Sequence, residues 1–218
     1  MTKPNKAPSE RVRVKRSHQR AAYDRETVHA ILDAMPVCHV GYIVDGTPYV
    51  TPTLQWREGD RVYWHGSSAS RALRSSNNTQ VCLTVTILDG MVMARSAFHH
   101  SVNYRAVMIK GVAEKVTDPA AKARHLETMV EQLFPGRWDM LREMTPKESK
   151  ATTVLSMPID EASAKIRPGM PVDDEEDYEL PIWAGVIPIR MEVLPPVDDP
   201  RNLPGVIAPD HTHSYKVG

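Results

Sequence analysis

Apolar residues first recur at helical spacing in Thr27, Val28, Ile31, Leu32 and Met35, a single stripe on a segment that Asp24 can cap and Pro36 ends. From residue 37 the period changes to two. Residues 37–44 are rich in β-formers and run into the pair Asp45-Gly46, which predicts a hairpin returning through residues 48–56. Pro48 and Pro52 cannot donate to a ladder, so parts of that returning strand belong at an edge or a bulge. A turn at Glu58-Gly59-Asp60 carries the meander into residues 61–65, and a short helix over 70–75 follows, capped near Ser67 or Ser68. Residues 80–88, a turn at Asp89-Gly90 and residues 91–97 predict a second hairpin. Residues 104–116 supply one or two more strands around Gly111.

Asp118-Pro119 is a strong helix start, and Ala123, Leu126, Met129, Val130 and Leu133 continue at helical spacing, a helix expected to cover the strands. Residues 137–144 suggest another turn or two of helix, residues 152–157 a late strand, and residues 183–188 a last extended element. Between them, 169–180 is an acidic excursion whose Asp173 to Asp177 run reads as a solvated loop rather than a lid. Six or more antiparallel strands in a meander favour a closed barrel, because closure removes exposed edges. The expected organisation is a flexible basic arm over 1–20, one barrel domain over 21–194, and a proline-rich irregular tail over 195–218.

A chain of 218 residues, 41% of them hydrophobic, can bury one substantial core. Lys+Arg and Asp+Glu both number 27, and this zero balance argues against unaided attraction to nucleic acid or an anionic membrane. The two cysteines, Cys38 and Cys82, sit in apolar strand segments without CxxC spacing, so they read as reduced core residues. No apolar run approaches the roughly 20 residues of a membrane span, and no signal-peptide pattern opens the chain, so the expected location is cytoplasmic.

Residues 63–71, Tyr-Trp-His-Gly-Ser-Ser-Ala-Ser-Arg, run from a strand through a Gly/Ser turn into the start of a helix. Unsatisfied N–H groups at a helix start, the helix dipole, the hydroxyls and the fork of Arg71 together suit a phosphate. A serine-rich turn with a surface arginine remains an open alternative. No Walker A or GxGxxG pattern accompanies it, so neither a P-loop nor a Rossmann site is expected. A second polar stretch spans residues 95–105. Its adjacent His99 and His100 point to opposite faces of an extended chain and lack a partner at a chelating interval, so no metal site is expected. Asn103, Tyr104 and Arg105 are better placed to contact a ring and a phosphate, the alternative being a capped turn with a strand-edge aromatic.

Several motifs in order resemble the pyridoxamine 5′-phosphate oxidase-like flavin-binding family. They are Arg20-Ala21-Ala22-Tyr23-Asp24-Arg25, Pro52-Thr53, Tyr63-Trp64-His65-Gly66-Ser67 with Ser70-Arg71, Arg95-Ser96-Ala97, and Asn103-Tyr104-Arg105-Ala106-Val107 with Gly111. Within that family the chain is most similar to the branch of nitroimidazole-resistance reductases. The resemblance implies a mainly β fold with flanking helices, a six-stranded antiparallel Greek-key split β-barrel, and a homodimer with FMN at the subunit interface. It places His65, Ser67, Ser70 and Arg71 around the ribityl phosphate, and Thr51, Pro52, Thr53 and Leu54 along the isoalloxazine. It brings Asn103, Tyr104 and Arg105 from a neighbouring strand or the partner chain and closes Trp183 over the ring. His65 matches a functionally important histidine of the nitroimidazole branch and is the candidate catalytic residue.

The phosphate turn lacks the lysine of many flavin-reductase relatives. The chain also lacks the C-terminal substrate-binding arginine and histidine of true pyridoxamine phosphate oxidases, so vitamin B6 oxidation is not implied. The implied activity is an FMN-dependent oxidoreductase passing electrons from NAD(P)H to a small aromatic, nitro or quinone-like acceptor. The alternative is a flavin- or haem-binding storage module, for which His39, His65, His99 and His100 are possible axial ligands.

Overall fold

The computed structural model describes residues 6–218. A two-residue strand, β1 (Ala21–Ala22), leads into helix α1 (Arg25–Ala34), where the Asp24 carboxylate accepts from the Thr27 N–H at 2.8 Å. The cap fixes the phase of the helix, so Val28, Ile31 and Leu32 are the residues it buries. Then β2 (Val37–Val44) and β3 (Thr47–Glu58) turn at Asp45 and Gly46, both at positive φ as a tight two-residue hairpin turn requires. β4 (Arg61–Ser67) follows, with α2 (Arg71–Ser76) behind it.

β5 (Thr79–Met93) and β6 (Ser101–Lys115) form the longest pair in the fold. α3 (Pro119–Leu133) starts on its Asp118 cap, and α4 (Pro146–Ala151) on a capping box between Thr145 and Glu148. The remaining elements are β7 (Thr152–Pro158), β8 (Ala162–Arg167), β9 (Gly185–Pro188) and α5 (His211–Ser214).

Hydrogen-bonded neighbours run β6-β7-β4-β3-β2-β5, and β5 pairs back onto β6, so six antiparallel strands close a ring. This is the split barrel with a Greek-key order. The closure is asymmetric, since β6 gives β7 only Glu114 and Lys115 while β8 takes residues 104–109 of it. Inside, Cys38, Val62, Leu83, Val85, Ile109, Leu155 and Met157 are wholly buried, and α1 plugs the barrel with Leu32. A smaller cluster of Trp56, Tyr63, Val154 and Leu126 seats α3 on the outer side. Pro48 and Pro52 fall where β3 pairs with β2 alone, and four residues apart they direct both missing donors to the same open edge.

Three expectations are corrected. Asp89-Gly90 is not a turn: β5 passes through it as one strand, with an irregularity in pairing between Leu88 and Gly90. Glycine is there because β9 approaches closely, an added Cβ lying 2.9 Å from the Ile187 carbonyl oxygen. The chain reverses instead at residues 94–100, through a 3-10 turn at Ala97–His99. Strand β8 carried no turn signal strong enough to be read from the sequence, since its buried Ala162, Ser163 and Ala164 are small and partly polar.

The expected arm also behaves differently. Residues 1–5 lie outside the described residues, but Val12 is buried, Arg11 pairs with Glu161 at 3.0 Å, and the Val14 N–H donates to the Tyr23 hydroxyl. Residues 189–210 form neither helix nor strand, and the chain end returns to the body through the Gly218 N–H, which donates to the Ala34 carbonyl. Among the described residues no helix is long and apolar enough to cross a membrane.

If close approach is the reason for Gly90, Gly90→Ala should detach β9 while leaving the barrel folded. Amide exchange over residues 185–189 should accelerate about tenfold or more, roughly 1.4 kcal/mol of lost protection, with exchange in β2 and β7 unchanged.

Candidate functional site

β3 and β4 diverge at their ends near α2, and between them lies a cleft of about 160 Å³. Thr51, Pro52 and Thr53 of β3 form one wall; His65, Gly66 and Ser67 of β4, then Ser70, form the other; Val40, Tyr42 and Leu73 close the floor. The strand geometry explains the grouping, because β3 leaves β4 after Gln55 and its earlier residues are free to face the turn. The turn is held by its own backbone: Ser70 N–H donates to Ser67 C=O at 2.9 Å, and Ser68 N–H to Ala151 C=O at 2.7 Å. Ser67 Oγ accepts from the Ala69 N–H, whereas Ser70, at the start of α2, makes no capping bond with its hydroxyl. Gly66 lets Leu73 approach to 3.0 Å of where a Cβ would stand, bringing α2 tight against the turn.

Arg71 is exposed, lies 4.5 Å over the Tyr49 ring, and makes no ion pair among the described residues. The stacking aims the guanidinium while leaving its donors open. His65 sits edge-on to Trp56 at 5.9 Å. Burial pushes its pKa below the usual histidine value, so the ring is neutral at neutral pH. Its Nδ1 is buried without a partner. A proton on Nδ1 would leave an orphaned buried N–H, which is rarer in proteins than a bare acceptor, so the proton belongs on Nε2. His65 therefore faces the cleft as a hydrogen-bond donor.

Arg71 stands next to Ser70 but outside the lining of this cleft, and the other residues named from the sequence do not line it either. Leu54 packs against the Trp56 cluster under α3. Asn103 is buried, its Oδ1 accepting from Arg167 at 2.5 Å and its Nδ2 donating to the Gly169 carbonyl. Arg105 forks onto Asp89, with contacts of 2.8 to 3.2 Å, and this bonding raises its pKa. Tyr104 stands opposite Arg167 in the β6–β8 register, and Trp183 is 65% exposed beside Gly185.

A further constellation escaped sequence reading. Asp173, expected in a solvated loop, has a fully buried side chain that accepts from the Arg95 N–H and guanidinium, both at 3.0 Å. Burial works against its charge, yet these bonds prevail and hold its pKa below the ordinary aspartate value. Arg95 also stacks 4.8 Å from Tyr178, so residues 173–178 are latched onto the chain reversal after β5. Nothing local in an acidic run distinguishes the one carboxylate that is buried. Among the described residues no group of three or more His, Cys, Asp or Glu side chains is placed to hold a metal ion.

Residues 24–166 match the family described as pyridoxamine 5′-phosphate oxidase. The chain is 55% identical to the flavocytochrome Anf3 from Azotobacter vinelandii, covering 97% of this chain and 99% of that one, with a TM-score of 0.94. It is 33% identical to the FAD and haem binding protein from Mycobacterium smegmatis, over 91% of this chain and 98% of that one, with a TM-score of 0.86. A 5-nitroimidazole antibiotic resistance protein from Bacteroides thetaiotaomicron shares the fold at 21% identity, over 67% of this chain and 86% of that one, with a TM-score of 0.55. No curated protein matches the chain.

The buried imidazoles set a pH dependence. His65 and His29 both have pKa values lowered from 6.5, chiefly by burial. The unfolded chain takes up these protons at a higher pH than the folded one, so stability is full above the ordinary value and falls as pH drops below it. The urea midpoint should fall between about pH 7.5 and about pH 5.5, and fall less in His65→Gln, which keeps only the His29 share. An equal fall in both proteins would contradict a buried neutral His65.

Proposed function

This chain belongs to the pyridoxamine 5′-phosphate oxidase family, and from that premise we propose that it is a flavin- and haem-binding redox protein. The observation that carries this reading is the 55% identity to a flavocytochrome over 97% of the chain. The second relative, named for FAD and haem, points the same way and favours FAD over FMN. The resistance protein, at 21% identity, supports the fold alone and gives no reason to expect a nitro acceptor.

The cleft suits a flavin nucleotide on its own chemistry. Ser67, Ser70 and Arg71 offer hydroxyl and guanidinium donors that the fold does not otherwise pair with an acid, as an anionic phosphate needs. Thr51, Pro52 and Thr53 offer one flat wall for the ring system, and His65 Nε2–H one donor beside it. When bound, a flavin would supply two-electron chemistry and a haem one-electron exchange. The residues here bind and orient: Arg71 neutralises phosphate charge, His65 donates a hydrogen bond without adding charge, and the Val40, Tyr42 and Leu73 floor excludes water.

The enzyme class in this reading is an oxidoreductase with a reduced nicotinamide as donor. A homodimer belongs to the reading as well. Val37, Ile43, Val50, Leu88 and Met108 are all large, apolar and exposed, and a second copy would cover them. Tyr104 and Trp183, whose side chains make no hydrogen bond among the described residues, would then be free to meet the partner's cleft.

Purified protein should show flavin bands together with a Soret band, and heat-released flavin should be FAD. Protein that is colourless and takes up neither added FAD nor added haem would end the reading. Arg71→Ala should weaken flavin binding by about tenfold to a hundredfold, the scale of one charge-assisted hydrogen bond. Light scattering should give twice the chain mass.

A further inference from the structure

We infer that the C-terminal segment 167–218 builds the haem seat and that His211 is the histidine that ligates the iron. The inference rests on the haem reading above and adds where the haem binds. The family match stops at residue 166 of the 218-residue chain. The two relatives described as a flavocytochrome and as a haem binder share 97% and 91% of it. Coverage that high carries both matches past residue 166 and into this segment.

The segment has the composition of a wall without a filling. Over residues 189–210 it forms no helix or strand, yet Val197 is 94% exposed, Ile207 83% and Leu203 74%. Fixing such a chain costs about 1–2 kcal/mol per residue in backbone entropy, and aliphatic side chains left in water return nothing against it. A flat apolar body laid against them would.

Where the segment comes back to the body it places His211, the least exposed histidine among the described residues at 8% exposure. Its ring lies 6.3 Å from that of Phe134 and borders an open cavity of about 370 Å³ lined by Val197, Ile207 and Pro209, with Asp198 and Asp199 at it as well. Neither ring nitrogen has a hydrogen-bond partner among the described residues. Arg137 also borders the cavity and carries no ion pair, a fit for a propionate.

The alternatives fit less well. His65 lines the cleft assigned above to the flavin, a space of about 160 Å³ that cannot hold a haem as well. His99 is engaged with Asp174 at 3.4 Å. His100 lies exposed on the reversal after β5, and its surroundings form no cavity wall.

The test is titration of the full-length protein with haemin, following the Soret band and flavin absorbance in parallel. Wild type and His100→Ala should bind one haem per chain with the same spectrum. His211→Ala should lose at least about tenfold in haem affinity, about 1.4 kcal/mol, while keeping its flavin. His211→Met should retain haem with a shifted Soret band, which separates loss of a ligand from loss of the fold. Haem binding unchanged in His211→Ala, or lost in His100→Ala or His65→Ala instead, would overturn the seat and leave the flavin–haem reading standing. A wild type that binds flavin but no haem would overturn both the seat and the haem half of that reading.

Discussion

The structure depends on how β6 divides its two edges. One edge is given over to β5 from Ser101 to Ala113; the other is split, with residues 104–109 on β8 and only Glu114 and Lys115 on β7. A barrel closed by so short a seam cannot be held by that seam's hydrogen bonds. It is held by what fills it, the wholly buried Leu83, Ile109, Leu155 and Met157 packed against α1. Each such side chain contributes about 1.5–3 kcal/mol on burial, and the seam needs only to exclude water. The split also frees β8 to extend the sheet beyond the ring, and from its end at Arg167 the C-terminal segment begins.

The cleft follows from a similar divergence in β3. Its second half pairs with β4 through Trp56 and Tyr63, while its first half, interrupted by two prolines, pairs only with β2. Proline here does two things at once. It blunts an edge that would otherwise invite another strand, and where Thr51, Pro52 and Thr53 pair with β2 alone, the open side faces the serine turn. The site is the gap left where a strand changes partners.

Much of this was legible in the sequence. The α1 stripe, the Asp45-Gly46 hairpin, the β4-to-α2 turn and the Asp118-Pro119 helix start are local signals, and each was read to within a few residues. Six of the residues named for the site, Thr51, Pro52, Thr53, His65, Ser67 and Ser70, come together in one cleft because they flank that divergence. What failed was non-local. Asp89-Gly90 has the composition of a turn, and only the approach of β9, about a hundred residues later in the chain, explains why the strand continues through it. Asn103 and Arg105 were expected to contact a ring and a phosphate; within this chain they are engaged by Arg167 and Asp89, partners far off in the sequence or across the strand. Likewise no pattern in Asp173 to Asp177 reveals that the first carboxylate alone is buried.

The buried Asp173 carboxylate ties the C-terminal segment to the barrel. A fully enclosed aspartate is tolerated only because Arg95 supplies both a backbone and a guanidinium donor, and Tyr178 stacks on the same guanidinium. Asn103 adds a second tie, bonding Arg167 at the end of β8 and the Gly169 carbonyl just beyond it. The C-terminal segment therefore leaves the barrel from a pinned start, and β9 pins it again on β5. Only after that second tie, over residues 189–210, does the chain run without regular structure and with its aliphatic side chains outward. A segment fastened so firmly at its base and again at its end, where Gly218 bonds Ala34 and Tyr215 packs on Phe134, is not a frayed tail. In the proposed haem seat, its middle is the wall against which the cofactor would lie, at a defined place on the barrel.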